Sequence, residues 1–131
     1  MPLVRISLRK GKSPQHLSAL AEGVHQALRA AFGVPENNKF TLIHEHEDSA
    51  FICDPSYFGV ERSHDLVVIQ ITVNDTRNAA QKADLFKAIT HHLAIDPGLR
   101  PEDCYINLLE VKAENWSLGN GEQQYGPKPA P

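Results

Sequence analysis

The sequence is poor in the features that mark several protein classes. It has two cysteines, Cys53 and Cys104, without C-x-x-C spacing, so neither a disulfide framework nor a zinc knuckle is predicted. No apolar run approaches the roughly 18 residues of a transmembrane helix, and the N-terminus lacks the apolar stretch of a signal peptide. Positive charge is not in excess: 13 Lys and Arg stand against 16 Asp and Glu. We therefore expect no nucleic-acid or membrane partner and a cytoplasmic location.

An internal repeat is the strongest signal that is present. The chain has 131 residues, 41% of them hydrophobic, which is typical of one globular domain over residues 1–131. With an offset of 65 positions, Val4–Leu8 overlays Ile69–Val73, and Phe40–Glu45 overlays Tyr105–Glu110. The sequence therefore predicts two similar half-domains. Their predicted bounds are 2–46 and 66–111, with a loop over 47–65 and a C-terminal hairpin or tail over 112–131.

Each half has the pattern of a strand, a helix and a second strand. Ser13 followed by Pro14 is typical of a helix start, and apolar residues then recur at helical spacing from Leu17 to Ala31. In the second half, Asn78 is the predicted helix cap, and the helix continues through Leu93. We expect its buried face to carry Ala83, Phe86 and Ile89. The predicted strands are Leu3–Leu8, Lys39–His46, Leu66–Val73 and Cys104–Val111.

This pattern predicts an α/β fold, a duplicated β-α-β forming a four-stranded sheet with two helices on one face. A helix that crosses over between two strands makes them parallel, and the crossover is right-handed in nearly all proteins. The second face of the sheet would then be bare, and we expect it to be rich in Ile, Val and Leu. Because an apolar face of that size is not left in water, self-association into a small symmetric ring is predicted.

Pro2 is the first candidate for chemistry. Removal of Met1 would give Pro2 a free secondary amine at the start of a buried strand. An α-amino group has a pKa of about 7.7–8.0, and an apolar pocket or a nearby cation lowers it further. Such an amine can act as a general base. The plain alternative is an inert proline that follows the initiator methionine.

Three parts of the sequence together resemble one family. These are the opening Pro2–Leu8, the duplicated plan, and the late block Glu114-Asn115-Trp116-Ser117. The chain resembles, over about residues 2–125, the tautomerase superfamily of amino-terminal-proline enzymes. That superfamily includes 4-oxalocrotonate tautomerase, macrophage migration inhibitory factor and malonate semialdehyde decarboxylase. The resemblance implies a tautomerase fold, a homotrimer, catalysis by Pro2 and no cofactor.

The resemblance also implies residues that bind a small carboxylate substrate. Arg77 matches an arginine that binds a substrate carboxylate, and a guanidinium fork suits that geometry. Asn38 stands where the decarboxylase has a water-orienting aspartate, and Asn74 or Asp75 stands where it has a second arginine. Both departures disfavour water activation, whereas an amide N–H at Asn38 can stabilise an enolate oxygen.

Three further substrate-contacting residues follow from the same resemblance. His25 matches a helical histidine of some relatives, Asn107 lies where some relatives place a contacting tyrosine, and Trp116 matches an aromatic wall. For each residue a purely structural role is the alternative. His44 and His46 have a spacing that suits metal ligands, but without a third ligand no metal site is predicted.

The expected activity is the enol-keto conversion of a small 2-oxo or 2-hydroxy unsaturated carboxylic acid, with Pro2 as base. One alternative is decarboxylation, hydration or dehalogenation of a small three-carbon acid at the same site. Another is a binding protein that keeps the fold and the oligomer without catalysis. Loss of activity on replacement of Pro2 would separate the enzyme hypotheses from the last.

Overall fold

The computed structural model describes residues 2–127, and Met1 and 128–131 lie outside the described residues. The element order is β1 (Leu3–Arg9), α1 (Pro14–Phe32), β2 (Thr41–His46), β3 (Val67–Asn74), α2 (Ala79–Ile95) and β4 (Cys104–Val111). The predicted β4 is confirmed residue for residue, and the other bounds move by no more than two positions. After β4 the described chain forms a short 3-10 turn, Ala113–Asn115, and no further strand up to residue 127, so of the two predicted alternatives, a hairpin or a tail, the described part is a tail.

The four strands form one mixed sheet in the order β2-β1-β3-β4. β1 and β2 are parallel, β3 and β4 are parallel, and β1 and β3 run antiparallel at the centre. Each parallel pair is joined by its own helix, as the repeat predicted. The two helices pack on one face of the sheet, against each other and against the strands.

Both helices begin at side-chain caps. The hydroxyl of Ser13 accepts a hydrogen bond from the backbone N–H of His16, and Gly33 ends α1 with a φ of 67°, where a glycine avoids the strain of the left-handed region. Asn78 caps α2 and forms a reciprocal pair with Gln81. The two N-terminal caps fix where each helix starts, and they thereby position the turn residues that join β1 to α1 and β3 to α2.

The buried face of α2 differs from the expected one. Leu85, Ile89 and Leu93 point into the core, whereas Ala83 is exposed and Phe86 is 37% exposed. Spacings of four residues place the three buried side chains along one stripe of the helix. The stripe was predicted with the wrong residues at two of its three positions.

No helix within residues 2–127 covers the second sheet face, and the composition of that face is not the expected one. The residues of the two central strands that face the helices are Val4, Ile6, Leu8, Val67, Ile69, Ile71 and Val73, each with no more than 3% of its surface exposed. The residues between them face outward and include Arg5, Ser7, Gln70 and Thr72 besides apolar ones. The open face is therefore mixed rather than rich in Ile, Val and Leu.

Candidate active site

Pro2 is buried just before β1, at the end of the sheet where β1 and β2 begin and where β3 and β4 end. This end of the sheet is called the Pro2 edge. The backbone N–H of Val4 donates to the carbonyl of Phe40 at 2.9 Å, and Leu3 pairs with Thr72 of β3. Continuing the β3 pairing by one residue and the β2 pairing by two places Pro2 near the end of β3 and the start of β2. The backbone that follows Pro2 is thus held by both neighbouring strands.

Asn38 lies in the segment that leads into β2, next to this edge. Its backbone N–H donates to the carbonyl of Pro35 at 3.0 Å, which closes a turn. Its side-chain oxygen Oδ1 is buried and has no hydrogen-bond partner within residues 2–127. A buried acceptor without a donor costs about 1–3 kcal/mol, so this oxygen marks a place where a donor is missing.

His25 holds the same segment from the helix side. The ring is 4% exposed, and its Nε2 donates to the carbonyl of Glu36 at 2.9 Å. The side chain therefore contacts the backbone two residues before Asn38 and is shielded from solvent. A direct contact between His25 and a substrate stays a prediction, and the observed contact is one that shapes the turn.

Arg77 lies in the turn between β3 and α2 and is half-buried. Its guanidinium donates to the carbonyl of Phe32 at 2.7 Å and to the hydroxyl of Thr76 at 2.7 Å. The guanidinium carbon also lies 4.7 Å from the centre of the Phe32 ring. A guanidinium has five N–H donors, so this anchoring orients the group while it leaves capacity for a bound carboxylate.

Trp116 follows β4 and is fixed by Asn74, a residue whose contact the sequence did not predict. The indole N–H of Trp116 donates to Oδ1 of Asn74 at 2.6 Å. Asn74 is the last residue of β3, so the bond ties the segment after β4 to the Pro2 edge. The only sequence signal was a polar residue at the end of a buried strand.

An ion pair lies at the helix side of the same edge. Lys82 of α2 and Glu110 of β4 are 2.6 Å apart. The hydrogen bond from Lys82 holds the pKa of Glu110 below its usual value. Glu110 is therefore ionised at neutral pH and engaged with α2.

Asn107 is the predicted site residue that the chain does not bring to Pro2. It pairs with Gln70 in the middle of the sheet and is exposed on the open face. Three residues of strand separate this row from the row of Pro2, which is about 10 Å at 3.3 Å per residue. Asn38, Asn74, Arg77 and Trp116 all lie at the Pro2 edge.

The long loop between the two halves lines several clefts at the opposite edge of the sheet, where β1 and β2 end. One cleft of about 270 Å³ is bordered by Ile52, Cys53, Tyr57, Arg62 and Tyr105. The guanidinium of Arg62 in this cleft donates hydrogen bonds to the backbone carbonyls of Asp54, Tyr57 and Val60 at 3.0–3.4 Å, so it is engaged with the loop itself. In this cleft the guanidinium of Arg62 therefore stabilises the loop and is not free for an anion.

Residues 2–127 lack two features that would indicate other classes of protein or site. Between residues 2 and 127 there is no cluster of three or more His, Cys, Asp or Glu side chains that could hold a metal ion. In the same range, no helix combines the length and the apolar character that crossing a membrane requires. Both cysteines in this range are free and half-buried, and burial raises the pKa of Cys104 to about 12.

The sequence matches known tautomerases along almost its whole length. Two family models, each described as tautomerase enzyme, match residues 2–61 and 38–119. The probable tautomerase YusQ of Bacillus subtilis strain 168 is 38% identical, over 95% of this chain and 98% of its own. The probable tautomerase YrdN of the same organism is 28% identical, over 95% and 96% of the two chains.

Solved structures agree with these matches. A malonate semialdehyde decarboxylase, FG41, inhibited by 3-bromopropiolate superposes with a TM-score of 0.88 at 32% identity, over 94% of this chain and 93% of that one. Native fused 4-OT has a TM-score of 0.77 at 15% identity over 93% and 96%, a likeness of fold alone. The chain belongs to the tautomerase family, and its four-stranded sheet with two helices is the tautomerase fold. It is an enzyme of the isomerase class, a tautomerase.

Proposed function

We propose that this tautomerase uses Pro2 to move a proton within a small 2-oxo or 2-hydroxy unsaturated carboxylic acid. The observation that carries the proposal is the burial of Pro2 at the sheet edge that also holds Asn38 and Arg77. The proposal requires removal of Met1, because an amide nitrogen has no basic lone pair. Burial favours the neutral form of the resulting amine and so lowers its pKa toward neutrality.

The proposed reaction is a proton transfer that needs no cofactor. Arg77 binds the substrate carboxylate and so fixes the position of the conjugated carbons. The Pro2 nitrogen takes the proton of the enol hydroxyl, and the electron pair of that O–H bond becomes the enolate. The amide N–H of Asn38 stabilises the enolate oxygen. The same proton then passes from Pro2 to carbon, which gives the keto acid and restores the free amine.

We propose that the enzyme works as a homotrimer in the cytoplasm. The open sheet face is uncovered within one chain and carries apolar side chains such as Leu42, Tyr105 and Leu109, which are 45–50% exposed. One similar structure is a fused 4-OT described as a symmetric trimer, with a TM-score of 0.75 at 18% identity. Asn107 lies on the face that such packing would cover, so its proposed substrate contact is to a neighbouring subunit's site. Neither a membrane nor a nucleic acid is a proposed partner.

Decarboxylation or hydration of a small three-carbon acid is the second candidate. The 32% identity and the TM-score of 0.88 to a malonate semialdehyde decarboxylase favour it. Two features disfavour it: position 38 is an asparagine, which is not a carboxylate base, and Asn74 is already bonded to Trp116. The tautomerase reaction requires no activated water and is therefore preferred.

The first experiment measures the enol-to-keto rates of phenylenolpyruvate and 2-hydroxymuconate. It compares protein shown by mass spectrometry to lack Met1 with Pro2→Ala and with the control Pro14→Ala. Pro14 is exposed at the first turn of α1, at the opposite edge of the sheet. A rate far above background that collapses only in Pro2→Ala supports the proposal. Equal rates in all three proteins contradict it and direct the assay to three-carbon acids.

A further inference from the structure

The internal repeat of the sequence extends into the turns at both ends of the sheet. The 3-10 turns that follow β2 and β4, Asp48–Ala50 and Ala113–Asn115, lie 65 positions apart in the chain. The backbone N–H groups of Lys10 and Asp75 are also 65 positions apart. They donate to the carbonyls of the last residues of β2 and β4, at 2.9 and 3.0 Å. The two ends of the sheet can therefore be compared residue by residue.

Lys12 is the repeat mate of Arg77. Each residue lies in the turn between a central strand and its helix, and each directly precedes the capping residue of that helix. By the same offset, Val67 at the start of β3 takes the position of Pro2. The opposite edge therefore has a cation at the position where the Pro2 edge has its proposed carboxylate-binding residue.

A carboxylate of the same chain is already bound to Lys12. The ammonium of Lys12 donates to Oδ1 of Asp65 at 2.6 Å. This hydrogen bond holds the pKa of Asp65 below its usual value, so the carboxylate is ionised at neutral pH. A cleft of about 120 Å³ adjoins the pair and is also bordered by Gly11 and His64. The cation, its carboxylate and the adjoining space have the arrangement of an occupied carboxylate site.

Asp65 is held in place by the segment that leads into β3. Its backbone N–H donates to the hydroxyl of Ser63 at 3.1 Å, and that hydroxyl donates to the buried carboxylate of Asp103 at 2.6 Å. A carboxylate fixed beside a cation competes with free carboxylates as a tethered ligand, with an effective concentration of about millimolar or higher. Free anions below that concentration are therefore excluded from Lys12.

Under the proposed processing, the Pro2 edge has no side chain that corresponds to Asp65. Asp65 lies two positions ahead of Val67, whereas removal of Met1 leaves no residue ahead of Pro2. The space that the chain fills at the opposite edge is thereby left to a substrate at the Pro2 edge.

We propose that the opposite edge is a second site for a small carboxylate, and that Asp65 closes this site as an internal ligand of Lys12. Each chain then has one open carboxylate site, at Arg77, and one closed site, at Lys12. The inference rests on the proposed role of Arg77 and adds a second binding site that follows from the repeat.

A neighbouring ion pair provides a matched control. Lys10 donates to Glu47 at 2.7 Å, and these side chains are 57% and 69% exposed, against 34% and 55% for Lys12 and Asp65. Both are surface pairs, which contribute little to stability, so the fold tolerates loss of either carboxylate. Of the two lysines, Lys12 alone is the repeat mate of Arg77.

The test titrates nitrogen-15-labelled protein with sodium propionate and follows the backbone amide shifts of Gly11–Ser13 by NMR. Propionate is a small carboxylate without a carbonyl group that the Pro2 amine could attack. Sodium chloride is exchanged for propionate so that the ionic strength stays constant. The parent is compared with Asp65→Asn, with the double variant Asp65→Asn/Lys12→Met, and with Glu47→Gln, which frees Lys10 instead.

We expect a saturating shift in Asp65→Asn, with an affinity for propionate about tenfold higher than in the parent, because the tethered competitor is gone. The double variant loses this gain, since the cation is missing. Glu47→Gln behaves as the parent, because a freed surface lysine alone holds an anion weakly.

The inference is overturned if Asp65→Asn binds propionate no more tightly than the parent. It is also overturned if Glu47→Gln gains as much affinity, or if the double variant keeps the gain, since Lys12 would then not be the site.

The same spectra test the proposed role of Arg77 through the amides of residues 76–78. Shifts at residues 76–78 in every protein, with none at Gly11–Ser13, support the role of Arg77 and overturn the second site. Saturating shifts at Gly11–Ser13 in Asp65→Asn, with none at residues 76–78, contradict the role of Arg77 and leave the second site standing.

Discussion

Replacement of Asp103 by alanine is expected to destabilise the enzyme strongly. The carboxylate is 1% exposed and accepts two hydrogen bonds of 2.6 Å from Ser63, while Arg100 lies 3.7 Å away. Bonds to a charged group contribute about 1.5–3 kcal/mol each, and the variant leaves the N–H of Ser63 without its acceptor. The expected loss is about 3–5 kcal/mol, a large share of the roughly 5–15 kcal/mol of a typical domain.

Urea denaturation measures this loss. All proteins are compared at one concentration, because self-association makes apparent stability concentration-dependent. Ser63→Ala removes only the hydroxyl bond and should cost about 1–2 kcal/mol. Asp103→Asn keeps the shape and one acceptor and should fall between the two. The reasoning is refuted if Asp103→Ala stays within about 1 kcal/mol of the parent with an unchanged denaturant slope.

Three further predictions concern single contacts. Arg77→Lys should lower kcat/KM about 100-fold, mainly by raising KM, because an ammonium cannot bind a carboxylate with two parallel hydrogen bonds. Steady-state kinetics measure this, and a fall of less than threefold in kcat/KM contradicts the prediction. Gly23→Ala should lower Tm, because an added Cβ would lie 2.6 Å from Cδ2 of Leu93. Adding Leu93→Val to this variant should recover the loss. An unchanged Tm in Gly23→Ala alone means that the Leu93 side chain moves aside. Trp116→Phe removes the N–H that donates to Asn74 and should lower the free energy of unfolding, measured by denaturation, by about 1 kcal/mol. An unchanged free energy of unfolding would mean that water replaces the lost bond.

The elements were predictable where local signals agreed. Ser13 and Pro14 at the start of α1, and Gly33 at its end, are chemical requirements of a helix terminus that the sequence states directly. α2 was harder because its apolar residues are spread around the helix rather than confined to one face, and Phe86 is adjacent to Leu85. Choosing between neighbouring apolar residues needs the position of the sheet, which no local pattern contains.

The composition of the open sheet face could not be predicted from hydrophobic content alone. In β3, Val67 to Val73 is almost continuously apolar, and only Gln70 and Thr72 indicate which side meets water. Alternation along a strand assigns Gln70 and Thr72 to one side and Ile69 and Ile71 to the other. The prediction of an open face rich in Ile, Val and Leu was therefore wrong, because most Ile and Val side chains of the central strands lie beneath the helices.

Some residues of the candidate site were predicted by resemblance, whereas the contacts among them depend on the tertiary structure. Pro2, Arg77 and Asn38 were predicted by resemblance, and the fold brings them to one edge of the sheet. The contacts of Arg77 with Phe32 and of Trp116 with Asn74 join residues that are more than 40 positions apart, so no local pattern predicts them. The unpaired oxygen of Asn38 likewise becomes visible only when burial is known.

The difference between the two edges follows from what each must hold. A carboxylate at position 103 is compatible with burial because Ser63 supplies two donors to it. Position 38 is related to position 103 by the 65-residue repeat, and no donor within residues 2–127 reaches its buried side-chain oxygen, so a carboxylate there would be buried without compensation. The repeated position thus carries a charge where the chain supplies donors and a neutral amide where it does not.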